Sequence, residues 1–494
     1  MVALYGNEFI VEGENRIPIT KEVDVVVCGV GPAGFGAVIA AAKGGAKTLG
    51  IERYAFMGGG LTGFLVDRFP AHMLVPIPEY GLTKPLSSGV FIEWYDRLAK
   101  LGGALPRSDL EKDRRKIAGM IYADPELMKF LMQEMLEESG AEVLLHTMVV
   151  DTVVENNVIR GVIIENKSGR QAILAKVVID CTGDGDVFAA AGAPFEQTFA
   201  STQNLTRTSR AMPITLEWRL ANIDAVKAVT LVGTKKLQEM IDKATERGEI
   251  SDIGPDFILG YNVNSRKLRI ETPRQPWRPG EVPMQYAISA DSTNVMDLTT
   301  AEISAREKIL TFLNWVRKNV PGYEEAYVSF SGAQMGLRES RHVVGEYWLT
   351  GDGDINRARK HKDVVVRVFR GSLYIRGKDG SPEVVKTLSE EPQGPLFDIP
   401  YGCFVPLKID GLLVAGRCIS MDHVANLCLE PREESTCMVM GDVVGTASAM
   451  CIEQKINPRN LNVKKLQKNL EKRGFNLYEG KSKSLYEWQG SHNV

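Results

Sequence analysis

Three side chains towards the C-terminal end of the sequence could take up or deliver a proton. His423 ends the segment Ser420–His423, and imidazole is the side chain that most often serves as a general acid or base. Glu433 and Glu434 follow, and a carboxylate can take the same role. We predict His423 as the catalytic base, with Glu433 and Glu434 as second choices. The alternatives are a structural histidine bonded to the backbone, and glutamates that are only solvated at the surface.

Arginines accompany these candidates. Arg338, Glu339 and Arg341 form a dense charged cluster between apolar segments, and Arg432 directly precedes Glu433. Arginine offers a planar fork that grips carboxylates, so Arg338 and Arg432 are predicted to contact an anionic part of a substrate. An internal ion-pair network is the alternative for each of them. His342 and His361 have weaker claims to a role.

The segment Val23–Glu52 contains the clearest binding motif. An apolar run from Val23 to Cys28 leads into Gly29, Gly31 and Gly34, which form G-x-G-x-x-G. An alanine-rich stretch follows, and a second apolar run ends at Glu52. This is the strand–turn–helix–strand context in which the motif binds a dinucleotide. The glycines allow a tight turn and a close approach to the pyrophosphate, and Glu52 can accept hydrogen bonds from ribose hydroxyls.

Two further strand ends favour a flavin over a nicotinamide as the dinucleotide. Val177–Asp180 opens into a turn of small residues, Thr182–Asp186, and Gly411–Arg417 is another apolar run that ends in glycine. Small residues at these ends can pass over a dinucleotide without collision. We expect the long chain of FAD to need all three strand ends, whereas a domain that binds only NAD rarely does.

At this point the sequence resembles the FAD-dependent oxidoreductases that have the glutathione-reductase-type nucleotide-binding fold. The segments that carry the resemblance are Gly29–Gly34, Met57–Thr62, Val178–Asp186, Gly336–Arg341, Leu413–Ser420 and Cys437–Gly445. The resemblance implies a Rossmann-like α/β domain with FAD as its cofactor, and no particular substrate.

The resemblance also implies which residues contact FAD. Glu52 would bind the adenosine ribose, Val149 the adenine, and Gly31–Gly34 the pyrophosphate. Gly59, Gly60, Leu61 and Thr62 would line the flavin side. Thr182, Gly183 and Asp186 would lie beside the adenosine half, and Gly416 and Arg417 near the ribityl chain. The complete implied set is Gly29, Gly31, Pro32, Ala33, Gly34, Glu52, Arg53, Gly59, Gly60, Leu61, Thr62, Val149, Thr182, Gly183, Asp186, Gly416 and Arg417. The helix after Thr436 would direct its positive end at the flavin ring.

The elements around these motifs predict a discontinuous FAD-binding domain. It would comprise residues 1–193 and 403–460, with a small antiparallel β-meander at about 143–175. A mainly β substrate domain, residues 194–402, would be inserted, and residues 461–494 would form a peripheral helix and tail. Within this frame Asp124 and Pro125 begin a helix that Gly140 ends. Another helix spans Thr299–Asn319 and is expected to bury Ile303, Leu310, Leu313 and Val316. A strand is expected at Phe257–Val263.

Composition narrows the class of protein. The 494 residues are 44% hydrophobic and 24% charged, with a net charge of −3, which is ordinary for a globular chain and gives no basic stripe for nucleic acid. We expect no signal peptide and no membrane helix, and the seven cysteines suggest reduced, buried thiols in a cytoplasmic protein. The six histidines lack the spacing of metal ligands, so no metal is expected.

The function that follows is hydride transfer between a small organic substrate and FAD by a dehydrogenase or reductase. The alternatives are an FAD-binding protein without net redox turnover, such as an isomerase or hydratase, a subunit of an electron-transfer complex, and an NAD-only dehydrogenase. The electron acceptor is undetermined, and a homo-oligomer is possible.

Overall fold

The computed structural model describes residues 2–5, 9–12, 16–112, 120–197, 214–228, 230–231, 234–250, 282–288, 290–369, 372–376, 382–387, 396–428 and 432–480. The strand expected at Phe257–Val263 lies outside them. The α-helices are α1 Pro32–Lys43, α2 Gly89–Lys100, α3 Arg107–Lys112, α4 Pro125–Ser139, α5 Asp186–Ala190, α6 Ala225–Ala228, α7 Lys235–Glu246, α8 Val295–Asn319, α9 His423–Leu427, α10 Glu434–Gln454 and α11 Val463–Lys472.

The strands are β1 Val2–Tyr5, β2 Phe9–Glu12, β3 Ile19–Cys28, β4 Thr48–Ile51, β5 Arg68–Pro70, β6 Met120–Tyr122, β7 Glu142–Leu144, β8 Met148–Glu155, β9 Val158–Asn166, β10 Gly169–Asp180, β11 Phe195–Gln197, β12 Ile214–Ala221, β13 Val282–Ile288, β14 Tyr327–Ser331, β15 Arg341–Val343, β16 Val364–Phe369, β17 Ser372–Arg376, β18 Pro382–Thr387, β19 Leu396–Pro400 and β20 Leu412–Val414. Short 3₁₀ turns occur at Ala71–Met73, Pro78–Tyr80, Tyr401–Phe404 and Pro458–Asn460, and a π-helical turn occurs at Gly351–Ile355.

The main sheet is a parallel core with an antiparallel extension. Its order is β7-β4-β3-β10-β9-β8, and β20 pairs with β10 beside β9. The strands β7, β4, β3, β10 and β20 run parallel, whereas β9 is antiparallel to both β10 and β8. Parallel strands place their carboxyl ends at one edge of the sheet, which is where open α/β sheets bind ligands. The mixed α/β class is therefore as predicted.

The antiparallel meander predicted at about 143–175 consists of β8, β9 and the first half of β10, and it is continuous with the parallel sheet. Its predicted first strand is wrong, because residues 142–144 form β7, which pairs with β4 in parallel. The sequence divides Ile173-Leu174 from the later run that ends at Asp180, but the structure joins both in the single strand β10. Residues 169–174 of β10 pair with β9, and residues 178–180 pair with β20. The strand β10 therefore belongs to the antiparallel extension at its start and to the parallel core at its carboxyl end.

Helices α1 and α10 pack against each other through glycines. A Cβ added at Gly441 would lie 1.8 Å from the carbonyl oxygen of Ala33, and one added at Gly36 would lie 2.2 Å from that of Met438. The missing side chains let the two backbones approach closely. By length and composition α10 could also cross a membrane, but 89% of its most apolar window is buried inside the protein. It is a central core helix.

The described core has two parts. The larger contains the main sheet and its helices, together with side chains from Val343 to Leu477. The smaller draws on residues 214–335 and packs the sheet β13-β12-β14 against α7 and α8. The boundaries proposed from the sequence, 194 and 402, remain predictions.

Local signals predicted α4 well and α8 less well. Asp124 accepts hydrogen bonds from the backbone N–H groups of Glu126 and Leu127, and Gly140 is left-handed (φ +72°), so both predicted ends of α4 are confirmed. In α8 Leu313 and Val316 are buried, but Ile303 and Leu310 are 57% and 59% exposed. The prediction that these two are buried is wrong, because the side of α8 that faces the sheet is centred on Ile309.

Candidate functional site

A cavity of about 700 Å³ lies at the carboxyl ends of the parallel strands. Its wall includes the turns after β3, β10 and β20, the start of α10, and residues of β12 from the smaller core. The lining residues are Gly29, Gly31, Pro32, Ala33, Ile51, Glu52, Arg53, Tyr54, Gly59, Gly60, Phe64, Val66, Arg68, Thr147, Met148, Val149, Cys181, Thr182, Gly183, Asp184, Asp186, Thr215, Glu217, Gln334, Gly336, Leu337, Arg338, Ala415, Gly416, Arg417, His423, Leu427, Arg432, Glu433, Glu434 and Cys437. This volume is typical of a cofactor or small-ligand site.

The three motif glycines have different surroundings. Gly29 is left-handed (φ +83°), and a Cβ there would lie 2.7 Å from the carbonyl oxygen of Cys181. At Gly34 a Cβ would lie 1.8 Å from the carbonyl oxygen of Gly29, so this glycine lets α1 pack against the turn. At Gly31 the nearest atom would be 3.7 Å away, in Gly59. Gly31 therefore leaves free space on the cavity side, which a phosphate group can occupy.

Glu52 lies at the end of β4, where the motif predicts it. Its carboxylate accepts hydrogen bonds from the backbone N–H groups of Val30 (2.8 Å) and Tyr54 (3.0 Å). Burial raises the pKa of Glu52, although these hydrogen bonds and the charge of Arg53 act in the opposite direction. The side chain thus holds the glycine turn in place and still lines the cavity.

The second strand end is organised by Asp180, whose role the sequence does not reveal. The buried carboxylate of Asp180 accepts hydrogen bonds from the N–H and hydroxyl of Thr182 and from the N–H groups of Val187 and Phe188. It therefore shapes the turn that contains Thr182 and Gly183. At the third strand end Arg417 forms an ion pair with Asp184 and links the two turns.

Most of the predicted cofactor residues come together in the cavity. Those that line it are Gly29, Gly31, Pro32, Ala33, Glu52, Arg53, Gly59, Gly60, Val149, Thr182, Gly183, Asp186, Gly416 and Arg417. Gly34, Leu61 and Thr62 are not among the lining residues. Leu61 is buried in the core, and the hydroxyl of Thr62 donates to the carbonyl oxygen of Met57 (2.6 Å). Leu61 and Thr62 therefore support the loop behind the wall.

All four predicted catalytic residues, His423, Arg432, Glu433 and Arg338, line the same cavity. The Nδ1 atom of His423 lies 2.9 Å from both carboxylate oxygens of the buried Glu339. The alternative of a histidine bonded to the backbone through this nitrogen is therefore wrong. Burial raises the pKa of Glu339, but hydrogen bonds from His342 and His423 outweigh it, so this pKa lies well below its usual range.

Glu433 is buried and Glu434 is partly buried, so the alternative of a solvated surface residue is wrong for Glu433. Glu433 is 7% exposed, and its Oε2 atom has no hydrogen-bond partner among the residues the structure describes. Burial raises the pKa of both carboxyl groups, and at Glu434 the charge of Glu433 adds to the effect. Both lie at the N-terminus of α10, where the positive end of the helix partly offsets their charge. The wall thus presents a polar atom that still lacks a partner.

Several lining residues were not foreseen. Arg68 of β5 pairs with Glu217 of β12 at 3.1 Å, and Gln334 accepts a hydrogen bond from Arg53 at 3.0 Å. These contacts join segments far apart in the sequence, so no local pattern signals them. Arg341, which the sequence groups with Arg338, instead pairs with Asp186 at 3.1 Å. The alternative of an ion-pair network therefore applies to Arg341. Within the described ranges, no three His, Cys, Asp or Glu side chains are grouped to hold a metal ion.

Two solved structures that are similar to this chain cover most of its length at low sequence identity. A geranylgeranyl bacteriochlorophyll reductase-like protein from Thermoplasma acidophilum is 15% identical, with 92% of this chain and 84% of that chain covered and a TM-score of 0.41. The p-nitrophenol 4-monooxygenase from Pseudomonas putida is 10% identical, with 92% and 85% covered and a TM-score of 0.43. A search of curated protein sequences finds no match.

The sequence model of a known family gives a match over most of the chain. The family is described as FAD dependent oxidoreductase, and the match spans residues 24–470. The cavity fits this cofactor, because Gly31 leaves its wall open and three strand ends meet along its length. The glycine turn and the polar wall that contains His423 both line this one cavity. The chain therefore belongs to the FAD-dependent oxidoreductase family and uses FAD as its cofactor.

Proposed function

We propose that this protein is a dehydrogenase or reductase that transfers a hydride between a small organic substrate and FAD. One observation carries the proposal. His423 lines the same cavity as the glycine turn, and the buried Glu339 holds its Nδ1 atom at 2.9 Å. A base with a fixed orientation beside a redox cofactor suits the oxidation of an alcohol or amine, in which a proton and a hydride leave together.

We further propose that FAD binds in the extended manner of glutathione-reductase-type proteins. Gly31–Gly34 and the N-terminus of α1 would hold the pyrophosphate, Glu52 the ribose, and Val149 the adenine. Gly59, Gly60, Gly416 and Arg417 would hold the remainder, towards α10. When bound, FAD supplies the two-electron acceptor that the side chains lack. The open wall at Gly31 supports this assignment, since a Cβ there would enter the cavity.

The side chains would manage the substrate and its proton. Because Glu339 engages Nδ1 of His423, Nε2 is the ring nitrogen left to accept the proton from a hydroxyl or amine. Glu339 fixes the orientation of the His423 imidazole, as an orienting side chain does for the catalytic base in other active sites. Arg338 and Arg432 would orient an anionic or polar part of the substrate. Glu433, with its buried and unpartnered Oε2 atom, would accept a hydrogen bond from an O–H or N–H group.

The proposal also includes the cellular location of the protein and the state of its cysteines. The cytoplasmic location is proposed from the cysteine usage alone. All seven cysteines are buried and free of disulfides, as expected for reduced thiols.

An anaerobic reduction screen tests the proposed function. Alcohols, amines and their acids are mixed with the holoenzyme, and bleaching of the flavin absorbance is followed in a stopped-flow instrument. We expect one class to reduce the flavin, and His423→Asn to slow that reduction by about 10²–10⁴-fold while it retains FAD. His146→Asn is the control, because His146 is exposed and does not line the cavity.

Two results would count against the proposal. If His423→Asn were reduced as fast as the wild type, His423 would not be the base. If the flavin were never reduced by any substrate class, yet a substrate were isomerised or hydrated, the non-redox alternative would replace hydride transfer.

A further inference from the structure

A short segment, residues 332–336, passes between the two cores beside the cavity. At its end in the smaller core, the N–H of Gly336 donates to the carbonyl oxygen of Thr215 in β12 (2.7 Å). Towards the larger core, the N–H of Ala333 donates to the carbonyl oxygen of Gly63 (2.7 Å), in the loop that follows Gly60. Residues 332–336 are therefore hydrogen-bonded to both cores, and we call them the bridging segment.

Gln334 lies in the middle of the bridging segment, and its side chain lines the cavity. Its Oε1 atom accepts hydrogen bonds from the guanidinium of Arg53 (3.0 Å) and from the hydroxyl of Tyr54. Because arginine has no acceptor, the amide atom that faces Arg53 must be the oxygen, and its two lone pairs suit the two donors. Gln334 thus connects the bridging segment to the residues that directly follow Glu52.

The two hydrogen bonds of this amide oxygen lie at the end of the cavity that we propose for the adenosine half of FAD. The N–H of Thr147 donates to the carbonyl oxygen of Glu52 (3.0 Å), and the N–H of His146 donates to that of Tyr54 (3.1 Å). These bonds hold the turn before β8 against the residues after β4. Glu52 and Val149, the proposed contacts of the ribose and the adenine, therefore lie close to Tyr54.

Gln334 restricts two side chains that would otherwise have more freedom. Arg53 is exposed, and its guanidinium carbon lies 5.0 Å from the centre of the Tyr54 ring. The ring of Tyr54 in turn lies edge-on to Phe64, with the centroids 6.2 Å apart. A long side chain loses conformational entropy when a ligand orders it. Since Gln334 already holds both donors in place, less of this entropy is lost when the cofactor binds.

We propose that Gln334 is a positioning residue for FAD, which fixes Arg53 and Tyr54 at the adenosine end of the cavity and thereby slows release of the cofactor. The smaller core would then retain FAD through the bridging segment as well as cover the cavity. This inference rests on the proposed placement of adenosine beside Glu52, and it does not depend on hydride transfer.

The first experiment measures FAD release. Gln334→Leu removes the amide oxygen but nearly keeps the side-chain volume, and release from the holoenzyme is followed by the fluorescence of free FAD after dilution. We expect release to be about tenfold faster, because two side chains lose their restraint. The urea unfolding midpoint of the apoprotein should stay close to that of the wild type, since the backbone hydrogen bonds of the bridging segment remain.

Two further variants separate positioning from a general structural effect. In Gln334→Glu a carboxylate can accept the same two hydrogen bonds, so we expect release at close to the wild-type rate. Gln133→Leu is the matched control, because Gln133 is exposed on α4 and does not line the cavity. Unchanged FAD release from Gln334→Leu would overturn the proposal, and so would a Gln334→Glu protein that releases FAD as fast as Gln334→Leu.

The second experiment uses ADP as a probe of the adenosine end. ADP contains the adenosine and pyrophosphate of FAD without the flavin, and its binding to the apoprotein is measured by calorimetry. We expect Gln334→Leu to weaken ADP binding by about the same factor as it speeds FAD release. The visible spectrum of bound FAD should not change, because the flavin ring would bind towards α10.

The outcomes distinguish this inference from the proposed function. Faster FAD release with unchanged ADP affinity would overturn the proposal, because the effect of Gln334 would then not lie at the adenosine end. Neither measurement needs a substrate. If ADP affinity falls while the anaerobic screen finds no reduction of the flavin, hydride transfer fails and the role of Gln334 stands.

Discussion

At the scale of single residues, two glycines of the turn after β3 have different roles, one in ligand binding and the other in folding. Gly34 and Gly31 belong to one motif, yet they differ in what a methyl group would meet. At Gly34 it would overlap the carbonyl oxygen of Gly29 at 1.8 Å, whereas at Gly31 it would make an ordinary contact at 3.7 Å. One glycine is therefore required by the protein's own packing, and the other by whatever occupies the cavity.

A matched pair of alanine variants tests this division. We expect Gly31→Ala to fold with little change in stability but to bind FAD at least about tenfold more weakly, because the methyl group enters the space that we propose for the pyrophosphate. The measurements are the FAD dissociation constant, by titration of the apoprotein, and the midpoint of urea unfolding of the apoprotein. Gly34→Ala is the counterpart, in which we expect the unfolding midpoint to fall. Tight FAD binding by a stable Gly31→Ala protein would contradict the assignment.

At the scale of elements, the short 3₁₀ turn Ala71–Met73 packs on the larger core through an aromatic contact. The ring of His72 lies edge-on to Phe369 at the end of β16, with the centroids 5.1 Å apart. Burial lowers the pKa of His72 to about 4. The folded protein therefore favours the neutral imidazole, and protonation weakens the contact between the turn and the strand.

This contact predicts an acid-sensitive stability. The pKa of His72 is lower in the folded chain than in the unfolded chain, so its contribution is complete above about pH 6.5 and is lost as the pH falls towards 4. From pH 7 to pH 5 we expect His72→Phe to lose about 2 kcal/mol less unfolding free energy than the wild type. Urea unfolding at several pH values measures the difference, with His146→Asn as the exposed control. Parallel pH dependences for wild type and His72→Phe would contradict the prediction.

At the scale of the whole molecule, buried charges connect the two cores. Arg219 of β12, in the smaller core, pairs with Asp67 beside β5 at 2.6 Å, and both side chains are nearly inaccessible to solvent. Arg68 and Glu217 form the next pair along the same two strands and reach the cavity wall. This double pair fixes how the smaller core covers the cavity.

Removal of one charge from the buried pair of Arg219 and Asp67 should therefore lower the stability of the protein substantially. We expect Arg219→Met to destabilise the protein by about 3–5 kcal/mol, because the carboxylate of Asp67 is left buried without compensation. Chemical denaturation measures the loss, and a second replacement, Asp67→Asn, should restore part of it. The exposed pair of Arg247 and Glu249 provides the control, since Arg247→Met should leave stability unchanged. A small effect of Arg219→Met would mean that the pair does not hold the cores together.

Much of this architecture could be predicted wherever the controlling interactions are local. Asp124 and Gly140 mark the ends of α4 because caps depend on residues only a few positions away. The buried face of α8 was harder to predict. Ile303 and Leu310 form a second apolar stripe, about 100° around the helix from Ile309, and only the neighbouring sheet decides which stripe is covered.

The sequence by itself determined the glycine turn, the acidic end of β4, the strand ends that line the cavity, and the side chains able to handle a proton. These depend on backbone conformation and on residue types within one supersecondary unit. Only the tertiary structure decided that Glu339 contacts His423, that Glu433 is buried, and that Arg68 pairs with Glu217 at the cavity wall. The partner of a side chain far away in the sequence is set by packing and by the need to compensate buried charge, which no local pattern encodes.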